Sequence, residues 1–171
     1  MVRESALPDY ARASTRLTLR EGLSEYFAFH AGLVREESLS SDEARRFFRS
    51  HDAVHVVWGC GTSMMDEAVV KLASLCGTTG GVRILRGYML YESLDIYRKL
   101  PLRGTLLAIA AAPWLIARTL LACIRQADRW PWDAYEEYLD VPLAQIRARF
   151  GIRIAHASWN GPPGGPPPAT S

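Results

Sequence analysis

Between Leu17 and Leu33, apolar side chains recur on one side of a 3.6-residue period: Leu19, Leu23, Tyr26 and Phe27, with His30 beside them. This pattern predicts a first helix. Ser40, with Glu43 three residues later, makes a capping-box pattern and opens a second predicted helix. That helix runs through Phe47, Phe48, His51 and His55 to about Trp58, where Gly59 and Gly61 break the chain. Thr62 and Ser63 can cap a third helix, with Asp66 three residues after Ser63, and Gly77 is its natural stop. A turn over Thr78 to Gly81 leads to a predicted helix over 82–99, closed by Pro101. Gly104 to Ala117 is apolar and uncharged until Arg118 interrupts it. Pro131 starts a further segment, and Asp140 with Pro142 begins a last helix that stops at Gly151. No run alternates with period two, and no internal repeat is present. The expectation is an all-α fold, a single-domain bundle of about six helices over 16–154. A loose N-terminal arm (1–15) precedes it, and a disordered Pro/Gly-rich tail (155–171) follows.

Composition narrows the class. The 171 residues suffice for one domain with a real core, and 49% apolar with 22% charged residues is ordinary for a globular protein. The net charge is +2, and the arginines are scattered among acids without a basic stripe, so no nucleic-acid partner is expected. Cys60, Cys76 and Cys123 are odd in number and form no C-x-x-C, which argues against a disulfide framework or zinc knuckle and fits a reducing compartment. The N-terminal stretch lacks the apolar core of a secretory signal. The run 104–117 is too short to span a bilayer. With Arg103, Arg118, Trp114, Trp130 and Trp132 around it, the run reads as membrane-proximal; a buried helix or a homodimer face is the alternative.

The chemistry concentrates in HDAVHVVWGCGTSMMDE, residues 51–67. A helix advances ~100° per residue, so His51 and His55 stack one turn apart, with Asp52 expected in roughly the same quadrant. Glu67 lies one turn into the following helix. If the two helices pair antiparallel, Glu67 returns to the level of the histidines. Two imidazoles with carboxylates form a mixed donor set that suits a divalent ion with open coordination positions. An isolated His-x-x-x-His is more often two unrelated histidines. Here two of the four histidines fall within five residues of an otherwise apolar helix beside Asp52, and burying them without a common purpose would be costly. His51, Asp52, His55 and Glu67 are therefore the expected ligands of one divalent ion, with zinc, iron, cobalt, manganese and magnesium undistinguished. Asp66 reads as a helix cap and Cys60 as a packed residue.

This stretch resembles the signature of the coenzyme Q biosynthesis protein four family. That signature is His-Asp-x-x-His, eleven residues, then Glu; here the positions are His51, Asp52, His55 and Glu67. Gly59, Val69, Val70 and Lys71 also match. A closing pattern is similar over Tyr135, Glu136, Pro142, Leu143, Arg147, Gly151 and Ile152. The resemblance covers roughly residues 20 to 153. Family members are typically longer at the N-terminus, and they usually carry Gly at the position of Asp66 and Trp at that of Leu139.

The resemblance implies an all-helical, metal-dependent protein of ubiquinone biosynthesis. Its implied reaction removes the ring carboxylate of a polyprenyl hydroxybenzoate, coupled to hydroxylation at that carbon. The implied partners are the polyprenylated quinone precursor, other quinone-biosynthesis enzymes and a membrane surface. The implied location is cytoplasmic and peripheral on the bacterial inner membrane, or on the matrix side in mitochondria. A polyprenyl chain needs a long apolar site, for which Met64, Met65, Leu85, Met89, Leu90, Leu106, Leu107, Ile109, Trp114, Leu115 and Leu120 are candidates. The alternative is a non-catalytic scaffold or lipid-binding organiser. A phosphohydrolase of the His-Asp type would need a further histidine and aspartate, for which His30 and Asp95 offer poor context.

Overall fold

The computed structural model describes residues 7–30, 33, 41–91 and 102–154, with side chains at all of these except 89–91 and 102–112. Six α-helices lie among the described residues: α1 (Leu19–Phe29), α2 (Asp42–Trp58), α3 (Met64–Gly77), α4 (Ile84–Tyr91), α5 (Leu102–Ile124) and α6 (Leu143–Phe150). Short 3-10 turns occur at Asp9–Ala11, Gly81–Arg83 and Tyr135–Tyr138. Only two isolated bridges occur there, Thr18 with Pro142 and Thr78 with Trp130, and no strand. The fold is an all-α, single-domain bundle.

Side-chain caps set the helix starts. Thr18 accepts from the Glu21 N–H, and the Glu21 carboxylate accepts from the Thr18 N–H at 2.8 Å, a full capping box for α1. The N-cap of α2 is Ser41, one residue later than expected; Ser40 lies outside the described residues. Extended backbone at Ser41 aims its Oγ at the Ala44 N–H, 3.1 Å away. Gly59 closes α2 at φ 67°, a left-handed turn that glycine adopts without strain. A side chain there would also press on Ala11 and Ile154 at 3.3 Å.

Helix α2 is the axis of the bundle. From Ser50 to Trp58 every residue is buried, so this half of the helix is covered on all sides. It packs against α1, α3, α4, α6 and the first 3-10 turn, while α3 lies mainly along α5. Central burial places His51 and His55 inside the core.

Several expectations need correction. Residues 7–15 do not form a loose arm: Tyr10 is fully buried, its ring meets Tyr26 edge-on at 5.7 Å, and the Glu25 carboxylate accepts from the N–H groups of Asp9 and Tyr10. The Leu19 N–H donates to Val141 O and the Leu143 N–H to Leu17 O, tying this segment to the start of α6. The apolar run 104–117 lies within α5, which continues from Leu102 through Pro113 and Arg118 to Ile124. Trp130 and Trp132 do not flank a surface; both are core residues, and the Trp130 N–H donates to Gly77 O. The helix predicted over 82–99 begins as a 3-10 turn and continues as α4; 92–101 and the tail 155–171 lie outside the described residues.

Candidate metal centre

Three of the four expected ligands converge. One donor atom each from His51, His55 and Glu67 lies within 4.8 Å of the others. His55 Nε2 is 3.3 Å from Glu67 Oε1, and His51 Nε2 is 3.8 Å from Glu67 Oε2. Ligands bound tetrahedrally at about 2.0–2.1 Å stand roughly 3.3 Å apart, so these spacings fit a single cation. The convergence has a local cause. Gly59 reverses the chain, Ser63 caps α3 by accepting from the Asp66 N–H, and Glu67 then falls on the first turn of α3 facing α2. Asp66 is engaged at that cap, its carboxylate accepting from Ser63 Oγ at 2.7 Å.

The fourth expected ligand stands apart. Asp52 Oδ1 lies 3.7 Å from His51 Nδ1, on the opposite edge of the ring from Glu67, and it is outside the converging group. Adjacent residues on a helix diverge by about 100°, so Asp52 sits behind the histidine that His55 stacks above. At 3.7 Å Asp52 is too far for a hydrogen bond to Nδ1, so it brings a negative charge to that edge of the ring.

The decisive detail is the tautomer of His55. Its side chain has 0% exposure, and Nδ1 lies 2.8 Å from the carbonyl oxygen of Gly61. A carbonyl only accepts, so Nδ1 carries a proton. In neutral imidazole, Nε2 is then a lone pair. It faces a carboxylate at 3.3 Å and makes no aligned hydrogen bond. Two acceptors held face to face in a buried site repel each other, and a cation between them converts the repulsion into ligation. Gly61 was legible in the sequence only as a chain breaker; its role as the anchor of His55 required the turn geometry.

Glu67 stays ionised. Burial pushes its carboxyl up, while a proton on His55 or His51 and the charge of Lys71 pull it down, and the net effect is below the usual carboxylate range. Its side chain is 27% exposed, against 7% for His51, so the cluster meets solvent on the α3 side. Aromatic rings enclose the rest. Tyr26 stacks on His55 with centroids 5.2 Å apart, Phe47 stacks on His51 at 6.0 Å, and Tyr88 meets His51 edge-on at 5.6 Å. In the sequence Tyr26 read only as one of the apolar positions of the first helix.

The other candidates divide. Cys60 is fully buried, its thiol pushed up by burial, which fits a packed residue. His30 lies beyond Tyr26, between Tyr10 Oη at 3.1 Å and Thr62 Oγ1 at 3.3 Å, and is not in the cluster. Asp95 lies outside the described residues. Of the apolar candidates, Leu115 belongs to the core, Leu85 and Trp114 are exposed, and Met64, Met65 and Leu120 are half-buried. The side chains of Met89, Leu90, Leu106, Leu107 and Ile109 lie outside the described part.

The residues fit a divalent ion: two buried imidazoles and one partly buried carboxylate, a mixed nitrogen and oxygen donor set. No family model, curated protein or solved structure matches this chain.

Proposed function

We propose that the chain is a metal-dependent enzyme that removes the ring carboxylate from a polyprenyl hydroxybenzoate and leaves a hydroxyl in its place, in ubiquinone biosynthesis. The observation that carries this reading is the convergence of His55 Nε2 and His51 Nε2 on the Glu67 carboxylate, at 3.3 and 3.8 Å. The second support is the likeness of His51, Asp52, His55 and Glu67 to the signature of the coenzyme Q biosynthesis protein four family. His51, His55 and Glu67 would hold the ion, and Asp52 would place a negative charge beside His51. When bound, the ion supplies Lewis acidity toward a carboxylate and, if redox-active, reactivity with dioxygen. The protein contributes orientation and dryness. The Gly61 carbonyl sets the tautomer of His55, and the rings of Tyr26, Phe47 and Tyr88 keep water from the imidazoles.

The test is direct. The purified protein is assayed for bound metals by mass spectrometry, then incubated under air with a prenylated hydroxybenzoate and each candidate metal. The expected result is about one equivalent of metal per chain, with release of carbon dioxide and a hydroxylated product. Failure to retain any metal, with no turnover in any combination, overturns the reading.

A prenylated substrate resides in a bilayer, and α5 supports a peripheral position there. Trp114, Leu121 and Ile124 recur at helical spacing on one side of α5 and are exposed, Trp114 by 68% and Ile124 by 77%. No described helix is long and apolar enough to cross a membrane. Burying an aromatic side chain of this kind contributes about 1.5–3 kcal/mol, so Trp114→Ala is expected to weaken vesicle binding roughly tenfold or more. Co-sedimentation with anionic vesicles measures this; unchanged partitioning removes α5 as the contact.

A further inference from the structure

We infer that Tyr10 and His30 are positioning residues of the metal centre: they brace the turn after α2, so that the Gly61 carbonyl stays on His55 and His55 stays aimed at the ion. The inference rests on the metal-binding reading of His51, His55 and Glu67 and does not depend on the proposed reaction.

Gly61 O meets His55 Nδ1 at 2.8 Å, but Gly61 lies beyond the end of α2, so the helix itself does not place that carbonyl. The turn is gripped from outside, by the N-terminal 3-10 turn and the end of α1. Tyr10 Oη donates to Cys60 O at 3.2 Å and lies 3.1 Å from His30 Nε2. Thr62 Oγ1 lies 3.3 Å from His30 Nδ1. The residues before and after Gly61 are therefore tied to the same pair of side chains. The His30 ring also closes over Gly61 itself: a β-carbon there would stand 3.4 Å from His30 Cε1 and 3.2 Å from Asp66 Oδ2.

A proton count fixes the direction of each contact. Cys60 O only accepts, so the single proton of the Tyr10 hydroxyl is committed to it. His30 Nε2 then donates to Tyr10 Oη, which leaves Nδ1 as a lone pair that accepts from the Thr62 hydroxyl. Thr62, His30, Tyr10 and the Cys60 carbonyl thus form one directed chain with every contact satisfied. The brace is itself held firmly. Tyr10 is fully buried, its N–H donates to Glu25 Oε2 at 2.8 Å, and its carbonyl accepts from Arg147 Nη2 at 2.6 Å. The Tyr26 ring lies between the two histidines, 5.0 Å from His30 and 5.2 Å from His55, so the brace and the ligand share a wall. A group that orients a metal-bound imidazole fixes its tautomer and ring direction. Here that group is a backbone carbonyl, and Tyr10 and His30 are the side chains through which it is held.

The experiment titrates the full chain with cobalt(II) against a competing chelator and follows the visible absorption of the ion. Tyr10→Phe removes one oxygen and keeps the ring; it is expected to bind cobalt roughly tenfold more weakly or worse, with a shifted visible band. His30→Ala should weaken binding in the same way, and His30→Gln, which keeps a donor, should recover part of the loss. The double variant Tyr10→Phe/His30→Ala should lose little more than the weaker-binding single variant, because both act through one turn; independent effects multiply. Ile146→Val, a trim of the core in α6, serves as the control, lowering the urea midpoint while leaving cobalt affinity and the visible band in place. A role in stability alone predicts the behaviour of that control for Tyr10→Phe and His30→Ala as well. Wild-type cobalt affinity and an unshifted band in those two variants, or losses that multiply in the double variant, overturn the inference. A wild-type chain that takes up no cobalt overturns the metal-binding reading itself, so the two failures are told apart.

Discussion

Replacement of Glu67 by glutamine is expected to cost the protein its metal and to stabilise what remains. In the metal-free protein His55 Nε2 faces the carboxylate at 3.3 Å and its Nδ1 proton is committed to Gly61 O at 2.8 Å, so a neutral His55 meets Glu67 acceptor against acceptor. Glutamine is nearly the same shape and carries an amide N–H₂ that can donate to Nε2. It therefore converts a repulsion into a buried hydrogen bond, a gain of about 1 kcal/mol. Metal affinity should move the other way. Loss of an outer partner of a ligand already costs 10–100-fold, so loss of the only carboxylate among the converging donors should cost roughly 100-fold or more. Calorimetric metal titration and thermal unfolding in chelator measure the two halves. The sign of the stability change discriminates between two physical pictures. If His55 were an imidazolium paired with Glu67, Glu67→Gln would break a buried ion pair and destabilise the metal-free protein by several kcal/mol. A marked fall in chelator-treated stability would therefore overturn the neutral-lone-pair picture of His55 and leave a proton in the metal's place in the metal-free protein.

The largest expected loss of stability belongs to Arg147→Met. Arg147 is a buried cation with no carboxylate partner among the described residues. Its Nε donates to Val57 O at 2.9 Å, Nη1 to Arg12 O at 2.8 Å, and Nη2 to Tyr10 O at 2.6 Å and Val56 O at 3.0 Å. Two of these carbonyls belong to the last turn of α2, where unpaired carbonyls and the negative end of the helix dipole favour a cation. Burial lowers the guanidinium to about 10, so it keeps its charge at neutral pH. One side chain thus joins α6, the end of α2 and the N-terminal 3-10 turn. Methionine fills most of the volume and satisfies none of the four acceptors. Each buried acceptor left unpaired costs about 1–3 kcal/mol, and allowing for partial relaxation the change should cost about 3–5 kcal/mol. Arg147→Lys should recover only part, because a single ammonium cannot reach four acceptors spread around a planar fork. Urea denaturation measures both variants; a midpoint for Arg147→Met within error of the wild type would refute the role. Gly59 and Cys60 lie directly beyond these carbonyls, so this loss should also loosen the turn that carries Gly61 to His55.

Much of this molecule was legible along the chain. Helical periodicity with a capping Ser63 and the stops at Gly59, Gly77 and Gly151 placed α2, α3 and the end of α6 closely, because such signals act over one turn. The spacing of His51 and His55 on one helix, with Glu67 on the next, implied a shared centre, and the fold brings those three together.

What the chain could not disclose depends on contacts between distant segments. Asp52 differs from its neighbours by a rotation about α2, and only the position of α3 decides which edge of the His51 ring faces the carboxylate. Trp130 and Trp132 look like interfacial anchors in a linear reading; both are buried, Trp130 packing on Tyr138 and Phe150 and Trp132 on Phe47. Tyr10 and Arg147 lie 137 positions apart, and no local pattern announces that one residue's backbone carbonyl completes the other's hydrogen bonding. Local sequence sets dihedral preferences and amphipathic faces over a few residues. The state of a buried polar atom is set by whatever the rest of the chain brings within 3 Å of it, and only the assembled bundle determines that.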